Sequence, residues 1–154
     1  MKILKRLMSV TLVWVLALTL IGCQKSYISE EKAEEFLSEA AKIEEYSETV
    51  YETAMTQMEL NIGSGNILTK WDELLDEIYT FLGDNMNKKD FAELEKDEIL
   101  WIVEKDEAVE EAAKEWEGGS GETMIRNGTE SSYTKDRCYY LISIVKGEKT
   151  VGDK

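Results

Sequence analysis

The chain contains no histidine and no proline, only two cysteines, and far fewer basic than acidic residues, with 18 Lys+Arg against 32 Asp+Glu. Without histidine, every mechanism that rests on an imidazole base or ligand is excluded. With two cysteines at most, the common zinc sites go as well. A net charge of −14 excludes a surface that tracks a nucleic-acid backbone. The missing proline removes polyproline segments and rigid linkers. What is present is 43% hydrophobic content over 154 residues. That is ordinary for one globular domain and too high for a disordered acidic chain. The composition describes an acidic, helical protein without metal.

Residues 1–22 read as a targeting segment. Lys2, Lys5 and Arg6 make a positive start, and Leu7 to Ile21 then runs without a charge. This apolar core is shorter than the roughly 20 residues a spanning helix needs and has the length of a signal-peptide core. Its end, Leu20-Ile21-Gly22-Cys23, resembles the bacterial lipobox, in which a small residue precedes the cysteine that becomes the lipidated N-terminus. The expectation is cleavage before Cys23, a covalent lipid on Cys23 with no other cofactor, and a place on the extracytoplasmic face of the cell membrane. The mature chain then carries 15 Lys+Arg against 32 Asp+Glu, a balance of −17. Anionic headgroups repel such a body, which stands off the bilayer. Acylated Cys23 cannot form a disulfide, so Cys138 is the one free thiol. Tyr139, Tyr140 and Leu141 beside it predict its burial.

Residues 23–28 form a lipidated tether, and Ser29 with Glu30 and Glu31 marks a helix start. Ala33, Phe36, Leu37, Ala40, Ile43, Val50, Tyr51, Ala54 and Met58 recur at helical spacing. They predict one long amphipathic helix over 29–66, ended by Gly63-Ser64-Gly65-Asn66. Thr69-Lys70-Trp71-Asp72 approximates a capping box for a second helix, with Trp71, Leu74, Leu75, Ile78, Tyr79 and Leu82 on its apolar side. A third helix starts at Asn87 and Asp90, carries Phe91, Leu94, Trp101, Ile102, Val109 and Ala113 inward, and breaks at Gly118-Gly119-Ser120-Gly121. A fourth is expected from Thr123 to Val145, with Asn127-Gly128 as a point of interruption. Leu141 to Val145 is rich enough in β-branched residues for a strand, yet no second strand is available to pair with it. Residues 147–154 are a polar tail. The fold class is all-α, a small bundle of about four helices.

The stretch from Leu75 to Leu141 resembles the family named after the lysozyme-inhibitor lipoprotein LprI. Leu75-Asp76-Glu77-Ile78-Tyr79 is similar to its opening Leu-Asn-x-x-Tyr. Leu94 to Asp106 is similar to its central Leu-x-x-x-Gln-x-x-Trp-x-x-x-Arg-Asp, with Glu98 for Gln, Trp101 matched, Lys105 for Arg and Asp106 matched. Gly118-Gly119-Ser120 and Thr134-x-x-Arg137-x-x-x-Leu141 complete the series. The resemblance implies an exported LprI-like helical domain over 67–146, in a family of which a few members are characterised as lysozyme inhibitors, so the candidate partner is a basic lysozyme-like muramidase. Many members carry two cysteines at the positions of Val109 and Thr129. Both are missing here, so this domain forgoes about 2–4 kcal/mol of unfolded-state constraint from the implied bridge.

The residues themselves favour structural roles. Trp101, spaced with Leu94 and Ile102, reads as core before it reads as a recognition aromatic. Asp106 and Arg137 read as a pair tying the third helix to the fourth. Gly118-Gly119-Ser120 reads as a helix C-cap and turn. The alternative there is a protruding acidic tip made by Glu115, Trp116, Glu117 and Gly119. No two carboxylates are marked as the opposed pair that glycoside cleavage needs. Asp84 to Asp90 fails as a calcium loop, because Met86 and Lys88 take ligand positions. Three functions remain: an anchored inhibitor that binds a basic muramidase through charge complementarity, an envelope scaffold without inhibition, and an enzyme, which the missing histidine and the lack of a nucleophile with an evident base disfavour.

Overall fold

The computed structural model describes residues 27–153. The expected targeting segment, Cys23 with its lipid, and most of the tether lie outside them. Among the described residues there are four α-helices, one 3-10 turn and no strand, so the all-α bundle forms as expected. The helices are α1 (Glu30–Thr53), α2 (Gln57–Asn85), α3 (Lys88–Ala113) and α4 (Glu122–Lys146), with the 3-10 turn over Lys114–Trp116. Residues 141–145 are the last turns of α4, not a strand. None of the described helices is long and apolar enough to cross a membrane.

The helix expected over 29–66 is instead two. Ser29 does cap α1, its Oγ accepting from Lys32 N at 3.1 Å. The chain then turns at Ala54-Met55 and restarts at Thr56, not at Thr69. Thr56 Oγ1 accepts from Glu59 N at 3.2 Å, and Glu59 Oε2 accepts from Thr56 N at 2.9 Å and Met55 N at 2.8 Å. This Thr-x-x-Glu capping box settles two of the donors orphaned at the start of α2. Thr69 is mid-helix, its hydroxyl donating to Gly65 O at 3.0 Å.

Gly63-Ser64-Gly65-Asn66 therefore breaks nothing; it lies inside α2, with Gly63 and Ser64 buried against its neighbours. A Cβ on Gly63 would fall 2.3 Å from Val50 Cγ1, so glycine is what lets α1 and α2 approach this closely. Ser64 is wholly buried, and Asn127 of α4 donates to its Oγ at 3.1 Å. Asn127-Gly128, expected as an interruption, is likewise continuous helix. Gly63 and Gly65 of α2 thus mark its approaches to α1 and α4.

α2 packs most extensively on α4, and α1 covers both. Phe36, Ile78, Leu82, Leu141, Ile142, Ile144 and Val145 make the centre of that three-helix core. α3 is peripheral and packs chiefly on α4. Successive helices run antiparallel through short connections. One end of the bundle therefore gathers the α1–α2 connection and the turn after α3, joined where Asn61 Nδ2 donates to Ser120 O at 2.9 Å. The other end holds buried Tyr27 and the end of α4, where Ser29 N donates to Val145 O at 2.8 Å.

Candidate functional site

Two places gather the residues singled out in the sequence: the seam between α3 and α4, and the exposed turn that joins them. The seam is polar. Arg137 is 7% exposed, and its Nε and Nη2 both donate to Glu98 Oε2, at 3.0 and 2.7 Å. Its Nη1 lies 2.8 Å from Asp97 Oδ2, which has no aligned hydrogen bond of its own, so that contact is Coulombic. The guanidinium is 4.9 Å from the Tyr140 ring centre and 5.6 Å from that of Trp101. Trp101 is thus half-buried packing for a cation, neither deep core nor free recognition surface.

Asp106 does not pair with Arg137. The antiparallel register sets Arg137 beside residues 97–98, Glu130 beside Lys105, and Arg126 beside Glu110. Asp106 falls about two helical turns from Arg137's partners. It lies exposed, 3.5 Å from Lys105 Nζ. Lys105 is bonded to Glu130. Burial works against its charge, but Glu130 and then Asp106 outweigh that and hold its pKa above the usual lysine value. Thr134, fully buried, donates its hydroxyl to Asp72 Oδ1 at 3.4 Å. Burial, then the charge of Glu130, raises the Asp72 pKa against the opposing pull of Lys105 and Thr134. Tyr79 packs its ring 5.4 Å from Phe91, closing α2 on the start of α3. Of the motif residues, Tyr79, Trp101, Thr134 and Arg137 thus make contacts between helices, and Asp106 does not.

The turn is exposed and tied down. Gly118 takes φ +73°, a left-handed conformation that favours glycine. Its N–H donates to Glu122 Oε2 at 2.8 Å, and Gly119 N donates to Trp116 O at 2.8 Å. Arg126, then the Gly118 N–H, hold the Glu122 carboxyl below its usual range. Gly121 lies under the Trp116 ring, where a Cβ would come within 3.1 Å. Glu115, Glu117, Gly118, Gly119 and Ser120 are exposed, as is Trp116 at 46%. The segment is a turn, as the first sequence reading has it, and its residues 115–120 are exposed.

Met55, Met58 and Ile62 are also exposed at this end. Sequence reasoning missed them, because a continuous first helix assigned Met58 to an inward stripe. Cys138 is buried without a disulfide partner, and burial pushes its thiol pKa up to about 12, so it is not a nucleophile. Among the described residues no group of side chains could hold a metal ion.

A family model described as "Lysozyme inhibitor LprI" matches residues 47–141, from the last turns of α1 to Leu141 in α4. No curated protein and no solved structure matches the chain.

Proposed function

The chain belongs to the LprI family, whose members are not catalysts, and on that premise we propose that the mature protein is a surface-anchored inhibitor that binds a basic muramidase and blocks it. The family match over residues 47–141, from the end of α1 through α2 and α3 to Leu141 of α4, carries this reading. The −17 balance of residues 23–154 supports it, since lysozymes are commonly strongly basic and opposite net charge speeds encounter. Charge alone gives only non-specific attraction, screened over about 8 Å at physiological ionic strength. Blocking needs a shape, and the turn at Glu115-Trp116-Glu117 with Gly119 offers an exposed one held by hydrogen bonds.

The lipid belongs on Cys23, with residues 1–22 removed. Tyr27 and Ser29 lie at the end of the bundle opposite the turn. An anchor at Cys23 thus turns the Gly118-Gly119-Ser120 end away from the membrane, by about 40 Å given the 29 residues of α2. Cys23→Ser should release or misprocess the protein.

Lysozyme turnover on cell walls, titrated with residues 24–154 at low and physiological salt, tests the reading. Every described helix lies within that span. Inhibition that weakens with salt is expected. A folded sample that inhibits at neither salt leaves the envelope scaffold as the function.

A further inference from the structure

α3 has two apolar faces, and the bundle uses only one. Leu94, Val109 and Ala113 are buried. On the opposite side Ile99 is 62% exposed, Leu100 64% and Val103 50%, with Ile102 at 42% on the flank. At about 100° per residue, Ile99, Val103 and Leu100 fall within one arc of about 100°. Apolar residues scattered singly need no explanation, whereas several large ones side by side mark a contact surface. Because α3 packs chiefly on α4, no other helix among the described residues covers them, and the chain end at Gly152 and Asp153 only borders Leu100.

The charges around the patch indicate its occupant. Glu95, Glu104, Asp106 and Glu107 surround it, with Lys96 as the one base. A second copy of this chain would set those carboxylates against their own images, and a bilayer would bring anionic headgroups to them. A basic surface meets neither penalty. Glu107 and Lys114 continue the arc along α3 toward the Trp116 turn, about 20 Å beyond Val103. A standard interface takes about 800 Å² from each partner, a disc roughly 30 Å across, so one partner can reach both places.

We propose that the outer face of α3, centred on Ile99, Leu100 and Val103, is a docking surface for a basic protein that presents an apolar side chain among Lys or Arg residues. The identity of that protein as the muramidase rests on the reading above; the surface is the addition. In this arrangement the aliphatic patch supplies the desolvated centre of the contact and the carboxylates its polar rim.

The test is calorimetric titration of a purified basic c-type lysozyme into residues 24–154, comparing wild type with Ile99→Ser/Val103→Ser, with Val103→Lys and with Glu115→Gln/Glu117→Gln. The α3 changes lie on exposed positions, and circular dichroism checks that helicity is kept. A loss of at least tenfold in affinity for both α3 variants is expected, with the salt dependence of the serine variant unchanged because it removes no charge. Wild-type affinity in both α3 variants overturns the docking surface while leaving the inhibitor reading in place. Wild type that does not bind overturns both. A wild-type dimer in sedimentation that strengthens with salt and is lost in the serine variant assigns the patch to a second copy and overturns the proposal.

Discussion

The core formed by α1, α2 and α4 and the seam between α3 and α4 are both helix contacts, yet they are built from different interactions. In the core, aliphatic side chains close on one another around Ile78, Leu82 and Leu141, and Gly63 brings backbones together. In the seam, Arg137 and Arg126 of α4 reach carboxylates on α3 and Lys105 of α3 reaches Glu130 on α4, with few buried apolar side chains between them. Apolar burial is non-directional and adds with area, so it decides how firmly the domain holds. Ion pairs add less net free energy but fix register, since each cation has one level along the opposing helix that satisfies it. The core thus supplies stability, and the seam places α3 with its outer face turned to solvent.

The strongest way to break this comparison is to substitute an isoleucine on each side. Ile78→Ala, at a fully buried position, should cost about 3 kcal/mol through lost transfer energy and the cavity left behind. Ile99→Ala should stay within about 0.5 kcal/mol. Urea unfolding followed by circular dichroism measures both. Equal losses would mean that α3's outer face is covered in solution.

Next in size is the seam's buried cation. Arg137→Met strands Asp97 and Glu98 and should cost about 2–3 kcal/mol, below the range for fully buried pairs because both carboxylates keep some solvent. Asp106→Asn, at the partner expected from sequence, should be close to neutral, since that carboxylate is 66% exposed. If Asp106→Asn proves the more damaging of the two, the register drawn here is wrong.

A smaller gain is available at the same seam. Val109 and Thr129 sit between the Lys105–Glu130 and Glu110–Arg126 pairs. That places the positions implied for a family disulfide on facing helices, about 4 Å apart along the axis. Val109→Cys/Thr129→Cys should form a bridge and stabilise by about 2 kcal/mol. The comparison is the unfolding midpoint of the oxidised against the reduced double variant. A mixture that stays fully reduced under air would show that the helices do not face each other at that level.

How much of this was legible in the sequence follows from the same division. The helices and the inward stripe of α2 were readable, because burial imposes a 3.6-residue period wherever one face packs. The turn at Gly118 was readable as well, since a left-handed residue needs glycine. What misled was glycine used for approach: Gly63 and Gly65 look like a break, and only the nearness of Val50 and Asn127 shows otherwise. Thr56-x-x-Glu59 was in plain view but lay inside a stripe already assigned to one helix. The partner of Arg137 was hidden because ion-pair register depends on how α3 lies against α4, and no local pattern encodes that. The exposed strip at Ile99 to Val103 was obscured for another reason. α3 is apolar on both faces, so its periodicity alone does not say which is covered.

The smallest expected effect tests the electrostatics of the seam by pH. Asp72, on α2, faces Glu130 and Lys105 across it, with Thr134 on one oxygen. Its pKa is raised above the ordinary 3.8, so the folded protein holds that proton more tightly than the unfolded chain. Between 3.8 and the raised value the folded state therefore binds more protons, and the Asp72 contribution to stability falls as pH rises. Glu110 and Glu122 have lowered pKa values through Arg126 and work the other way, losing their contribution as pH falls through their folded values. Asp72→Asn removes only the first of these. At about pH 7 it should leave the protein unchanged or slightly more stable, within about 0.5 kcal/mol because the group keeps much of its solvent. At about pH 3 most of that difference should vanish, since Asp72 is then largely protonated in both states. Paired urea titrations at the two pH values give the sign. A variant clearly less stable at neutral pH would show that Lys105 and Thr134, not burial and Glu130, dominate at Asp72, and that the charges of the seam stabilise the bundle beyond setting its register.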